Sequence, residues 1–191
     1  TNAEVSTSKD INEEEKSVAL TLFVDPGQRT MVNRISFEGN ERTHDVVLRR
    51  EMRQMEKSWV SNNLLEASKL RLDRLGFFKS VKYEKNAVPG STDEVDVIFK
   101  VEEQFSGSIG GSLGYGAYGF SLGANYSEKN AFGTGNSINV GITYSEWRQD
   151  ISFNFFDPYF TIDGIGLGYG AFIRKTDYGN FNLAAYNTDS Y

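Results

Sequence analysis

Side chains able to do chemistry are sparse in this chain, and their spacing assembles no reaction centre. There is one histidine, His44, and no cysteine. A lone imidazole without thiolates cannot build a zinc site, and no Cys nucleophile or disulfide is available. His44 also falls where a helix is expected to start, a solvated position. Neighbouring carboxylates occur at Glu13-Glu14-Glu15 and at Glu102-Glu103. On extended backbone such neighbours point to opposite sides, so they read as surface charge and not as an acid/base pair. The strings Gly133-Thr134-Gly135 and Gly166-Leu167-Gly168 lie within or between expected strands and precede no helix, which excludes a phosphate-cradling loop. Tyr and Asp side chains of the second half read as girdle and loop residues. No catalytic residue, cofactor or metal is expected.

The elements around these residues divide sharply. Up to Gln104 the chain holds 16 of its 20 Lys and Arg and 19 of its 26 Asp and Glu, whereas Phe105 to Tyr191 holds 15 of the 19 Gly and 19 of the 26 aromatics. A net charge of -6 argues against nucleic acid, whose phosphates need a basic surface. No run of about 18 apolar residues is present, so any membrane span must be made of strands.

In the first half, Thr1 to Ser17 is polar and reads as a loop. Ser17 to Val24 alternates through Val18, Leu20 and Leu22 until Asp25-Pro26-Gly27 stops it. One strand cannot make a domain, and this one is expected to close a preceding module, the alternative being a free-standing arm. Met31 to Phe37 follows as a strand ended by Gly39-Asn40. A helix is expected from an N-cap at Thr43, through Val47, Leu48 and Met52. A second, over about Ser61 to Leu75, ends at Gly76. Phe77 to Tyr83 and Val95 to Val101 then form a hairpin. Strand, helix, helix, strand, strand predicts an α+β domain with both helices on one face of a small mixed sheet. Such a sheet keeps an open edge, which either binds an added strand or is merely charged against aggregation.

The second half has period two. Ile109, Gly111, Leu113 and Tyr115 alternate with Ser108, Gly110, Ser112 and Gly114, and the pattern recurs at Phe120 to Ser127, Ile138 to Ser145, Ile151 to Phe155 and Gly164 to Ile173, with a sixth strand starting at Phe181, Leu183 and Ala185. Soluble sheets also alternate, but their wet faces carry Lys, Glu and Arg. Here the polar positions are Gly, Ser, Asn and Thr, which suits the lumen of a transmembrane β-barrel, with aromatics at strand ends. Six antiparallel strands cannot close such a barrel, since the smallest have about eight. Partner strands are expected beyond Tyr191, making the chain a fragment of a longer one.

Four blocks then carry a resemblance: Val24-Asp25-Pro26-Gly27-Gln28-Arg29, Ile35-Ser36-Phe37-Glu38-Gly39-Asn40, Val47 through Glu56, and Arg74 through Val81. In this order they resemble the last POTRA repeat of the BamA family of outer-membrane insertases, whose chains run from POTRA repeats into a β-barrel. Asn130 through Asn136 and Phe156 through Thr161 are similar to the first two periplasmic turns of that barrel. The resemblance implies the tail of a preceding POTRA repeat at 1–29, the last POTRA domain at 30–104, and the first five to six barrel strands at 105–191.

It also implies a function: folding and inserting barrel proteins into the outer membrane of a Gram-negative bacterium, with the POTRA portion in the periplasm. Implied partners are the lipid bilayer, unfolded outer-membrane clients and accessory periplasmic lipoproteins. The first barrel strand, Gly107, Ser108, Ile109, Gly110, Gly111, Ser112, Leu113, Gly114 and Tyr115, would be the lateral gate. Arg49, Arg53 and Glu56 would face an accessory lipoprotein. Small residues that clear room in the lumen explain the even positions of the gate strand equally well, and explain Gly111 less well. A two-partner-type secretion transporter shares the same parts, and a structural barrel with a periplasmic docking domain is a third reading. Few residues separate Val101 from Ser108, so a hinge at about Glu102 to Ser106 would couple the domain mechanically to the gate strand.

Overall fold

The computed structural model describes residues 4–12, 17–25, 29–116, 119–177 and 187–191. Chain contacts gather into two compact units: 1–39, 51–74 and 80–102 in one, and 40–50, 75–79 and 103–191 in the other.

The first unit begins with a hairpin, β1 (Glu4–Asn12) paired antiparallel with β2 (Ser17–Asp25). Residues 4–12 of the stretch expected as loop are therefore a strand. Its residues Ser6, Thr7, Ser8 and Lys9 carry no apolar alternation, and what makes them a strand is the ladder donated by β2, with Thr7 opposite Leu22 and Lys9 opposite Leu20. Val18, Leu20 and Leu22 are each more than half exposed.

A three-stranded sheet follows in the order β3 (Met31–Glu38), β5 (Glu94–Glu103), β4 (Phe78–Ala87), with β3 parallel to β5. Val32, Ile35, Val97 and Phe99 point into its buried face. Gly39 ends β3 at φ 89°, and any Cβ there would collide with the Val101 carbonyl. The long helix is α2 (Asn62–Leu75), stopped as expected by Gly76 at φ 73°. It lies along β4, where Tyr83 Oη donates to Glu66 (2.8 Å) and Lys85 Nζ to Asn62 (3.1 Å). Its buried stripe is Leu65, Ser68 and Leu72, and each buried leucine contributes roughly 1.5–3 kcal/mol.

The first helix, α1 (Asp45–Arg49), is shorter than its apolar pattern suggests, and Met52 is buried outside it. Its N-cap position is His44, which makes no side-chain cap, and not Thr43. The early stop has a physical cause in Ser68. The Ser68 hydroxyl accepts the N–H of Arg53 at 2.8 Å and donates to Leu64 C=O at 2.7 Å. Gln54, fully buried, donates to Ser58 Oγ (2.8 Å) and the Trp59 carbonyl (3.0 Å) and accepts the Ser61 N–H (2.9 Å). The Arg53 and Gln54 N–H groups, which a longer α1 would turn back on itself, are thus committed to Ser68, and the Gln54 side chain shapes the loop that follows. The loop Gln54 shapes runs antiparallel along the start of β3, with Val32 N–H bonded to Ser58 C=O and Lys57 N–H to Val32 C=O. Arg71 to Glu51 (2.6 Å), with the Glu51 carboxylate buried, closes the same corner.

In the second unit one antiparallel sheet runs in sequence order: β6 (Gly107–Gly116), β7 (Gly119–Ala131), β8 (Asn136–Ser145), β9 (Arg148–Asp157), β10 (Leu167–Asp177) and β11 (Asn187–Ser190). The first five expected strands are present. The fifth starts at Leu167, three residues later than its alternation, because a turn is closed by the Thr161 N–H donating to Ile165 C=O and the Ile165 N–H donating to Thr161 Oγ1. The expected sixth-strand start, Phe181 to Ala185, lies outside the described residues. On the polar parity Phe156 stands opposite Gly168, and a Cβ on Gly166 or Gly168 would press on its ring at 2.7 or 3.1 Å. That glycine run makes room for one aromatic.

Replacing Gln54 with Leu would strand the Ser61 N–H and the Trp59 carbonyl in a buried site. A loss of roughly 2–4 kcal/mol is expected from chemical denaturation followed by tryptophan fluorescence, and a loss below about 0.5 kcal/mol would show that the loop holds without it.

Candidate functional site

β6 is the strand whose composition and position set it apart. It pairs with β7 from Gly107↔Glu128 to Gly116↔Gly119, and among the described residues no strand pairs with its other edge. All nine residues expected at the first barrel strand, Gly107 to Tyr115, lie in it. Ile109, Leu113 and Tyr115 are at least three-quarters exposed on one face. On the other face a Cβ on Gly114 would come within 2.7 Å of Ser121 Oγ and one on Gly110 would meet Asn125 Oδ1, in both cases the tip of a side chain. Gly111 differs. Opposite Ala124, it has no atom nearer its would-be Cβ than the Gly123 carbonyl at 3.9 Å. Lumen clearance does not explain it, and its lack of a side chain only weakens the packing of this strand.

A polar network gathers where β6 starts. Glu103, the last residue of β5, accepts the N–H of Arg42 on one oxygen (3.0 Å) and of Thr43 on the other (2.7 Å). The Thr43 hydroxyl is buried and accepts Asn130 Nδ2 at 2.9 Å. Asn130 in turn accepts the Gly135 N–H at 2.8 Å and closes the β7–β8 turn. Its own N–H donates to Glu128 Oε1 at 2.9 Å, and the Ser106 hydroxyl, one residue before β6, donates to the same oxygen.

The β7–β8 turn itself lies tightly against 40–50. His44 N–H donates to Gly133 C=O at 2.9 Å. A Cβ on Gly133 would collide with the Arg42 carbonyl, and one on Gly135 with the Arg50 guanidinium. Both glycines, at φ 75° and 74°, were expected from turn geometry, but close approach constrains them as well. Phe132 takes φ 54° without that freedom. The β9–β10 connection also reaches this segment: the Arg50 guanidinium carbon lies 4.3 Å from the centre of the Tyr159 ring.

The three residues expected to face a partner are exposed and lie apart in the chain's organisation. Arg49 ends α1 and pairs with Asp45 at 3.1 Å. Arg53 and Glu56 belong to the other unit. One Glu56 oxygen accepts the Ile35 N–H at 2.8 Å, capping the outer edge of β3, so Glu56 has a structural task whatever else it binds. Thr43, Arg50, Glu103, Asn130 and Tyr159 were not singled out for a joint role by sequence. The signal was weak, since Glu103 and Thr43 are separated by 60 residues and Thr43 and Asn130 by 87.

Comparison with known proteins accounts for both halves. Residues 30–104 match the POTRA family (surface antigen variable number repeat), and residues 130–191 match the Omp85 superfamily domain. The chain is 36% identical over 176 residues to the outer membrane protein assembly factor BamA of Neisseria meningitidis, covering 92% of this chain and 22% of that protein. The crystal structure of Haemophilus ducreyi BamA lacking POTRA domains 1–3 superposes with a TM-score of 0.84 at 36% identity, over 92% of this chain and 33% of that one. CdiB from Acinetobacter baumannii matches with a TM-score of 0.51 at 14% identity, over 91% of this chain and 33% of its own, a likeness of fold alone. The chain thus spans about a fifth of the curated relative it matches.

The Glu103 carboxyl is pulled up by burial, but the Thr43 hydroxyl, the Thr43 and Arg42 N–H groups and the Arg42 charge together hold it below the ordinary value of 4.5. A carboxyl lowered on folding contributes stability in full above its ordinary value, and that contribution disappears as pH falls through the lowered one. The network is therefore expected to loosen at acid pH below 4.5. Thermal unfolding of Glu103→Gln should show a lower neutral-pH midpoint and a shallower acid limb than the parent. An equally steep limb would exclude Glu103 as its source.

Proposed function

The chain is a homologue of the BamA assembly factors, a POTRA domain leading into the first strands of an outer-membrane β-barrel, and we propose that it takes part in folding and inserting β-barrel proteins into that membrane. In this reading the POTRA portion lies in the periplasm and the strands lie in the outer membrane. Insertion of this kind makes and breaks no covalent bond. What it needs is an interface at which incoming backbone can exchange water for a ladder without exposing N–H and C=O groups to lipid.

The observation that carries this reading is the make-up of β6, the first strand of the sheet, which has a face of exposed apolar residues and bears a glycine, Gly111, that neighbouring atoms do not require. A strand whose packing is weakened by glycine is one that a client strand can replace or extend. The gate in this reading is Gly107 to Tyr115, opening laterally against the last strand of the barrel. The POTRA domain receives unfolded clients, and Arg49, Arg53 and Glu56 contact an accessory periplasmic lipoprotein. Charges at such a rim orient a partner more than they hold it. Likeness to a transporter rests on fold at 14% identity, whereas likeness to the assembly factors rests on sequence as well.

Two measurements bear on this. A photo-crosslinker at Ile109 or Leu113 of the full-length protein should give adducts with nascent barrel clients, and one at Ile142 in β8 should not. Equal labelling at all three, or none at β6, would remove the gate. Arg49→Glu, on a half-exposed side chain, should weaken capture of the accessory lipoprotein about fivefold, the scale of a rim ion pair. Unchanged capture would remove Arg49 from that contact.

A further inference from the structure

The segment 40–50 lies within the sequence matched to the POTRA family, yet it is packed with the sheet of the second unit. Three of its features reach three successive points on one end of that sheet. At the start of β6, Arg42 and Thr43 donate their N–H groups to Glu103, four residues before Gly107. At the β7–β8 turn, Thr43 and His44 bond Asn130 and Gly133 at 2.9 Å each. At the β9–β10 connection, Arg50 stacks on Tyr159. Arg50 Nε is buried without a hydrogen-bond partner among the described residues, and the Tyr159 ring lies against the same guanidinium.

We infer that 40–50 is a clasp, in which Thr43, Arg50 and Glu103 are positioning residues that fix the ends of the first four barrel strands and thereby the place from which the first strand departs. The inference rests on the insertase reading and deepens it: the gate strand is presented at a fixed point by groups that touch no client. Its physical basis is that each contact replaces hydration of a turn by a fixed partner. Both turns carry conformational freedom that would otherwise blur the register of β6 against an incoming strand. Two glycines kept where a side chain would collide with Arg42 or Arg50 show that the approach is built in from both sides. Arg49, next in the chain to Arg50, ends the helix within the clasp, so a partner gripping Arg49 pulls on the element that holds both turns.

The test uses the full-length protein in phospholipid vesicles, with Thr43→Val, Arg50→Met, Arg50→Lys and Glu103→Gln. Hydrogen exchange is read without client, and insertion of a purified barrel client is read separately. Thr43→Val should speed exchange at 130–136 and Arg50→Met at 157–165, each about three- to tenfold, since local opening follows the lost contact. Glu103→Gln should do so at 104–109. Arg50→Lys should recover part of the Arg50→Met change, keeping the charge without the planar stack. The combined Thr43→Val and Arg50→Met variant should insert client about tenfold more slowly, the two contacts acting on one rim. Unchanged exchange at the turns would overturn the clasp. Faster exchange with unchanged insertion would overturn its positioning role. Failure of the parent protein to insert any client would instead refute the insertase reading, and the exchange arm would still decide the clasp.

Discussion

In hydrocarbon no water is available to satisfy a backbone N–H or C=O, and each one left unpaired costs several kcal/mol. The ladder from β6 to β11 meets that demand for every interior strand, because each is paired on both sides. The side-chain pattern is what commits the sheet to lipid. Ile138, Val140 and Ile142 share one face of β8, and Asn139, Gly141 and Thr143 share the other. The second face carries too little charge for open water and too little apolar volume for a packed core. Phe155 stacked on Tyr169 at 5.0 Å stands on the apolar face, while Phe156 is admitted on the other only where glycine faces it. β6, paired with β7 on one side, carries the glycines that leave its packing least reliant on side chains.

At the wet end of the sheet the demand changes. Water there competes for each hydrogen bond, so fixed geometry needs charge-assisted bonds and close approach. Glu103 and Glu128 supply the charge, each accepting backbone N–H groups as well as hydroxyls. The pairing of β7 with β8 shifts between Glu128 and Ala131, and the irregularity turns Asn130 toward Thr43 and Gly135 at once. A single side-chain amide therefore serves both as turn closure and as attachment to 40–50.

Much of this was legible in the residues. Period two found the barrel strands because lipid and lumen act on alternate positions. Gly39 and Gly76 announced their turns because positive φ is cheap only there. The family resemblance supplied the POTRA domain and the direction of function. What was not legible depends on contacts between distant residues. β1 is a strand because β2 offers it a ladder. α1 stops early because the Ser68 hydroxyl claims the Arg53 and Gln54 N–H groups. Glu102 and Glu103 looked alike in sequence, and Glu103 is met by a loop that comes from 60 residues away. For Arg49, Arg53 and Glu56 the structure adds exposure and, for Glu56, a bond to β3, so their role as a contact set still derives from the resemblance.

The central claim is that alternate residues of these strands face lipid and lumen. Single spin labels placed at 138 through 144 of the full-length protein in phospholipid vesicles test it most directly, through collision with oxygen and with a water-soluble nickel chelate. The account predicts a strict period of two, with labels at Ile138, Val140, Ile142 and Tyr144 relaxed by oxygen and those at Asn139, Gly141 and Thr143 by the chelate. Uniform access of the chelate to both sets would contradict it.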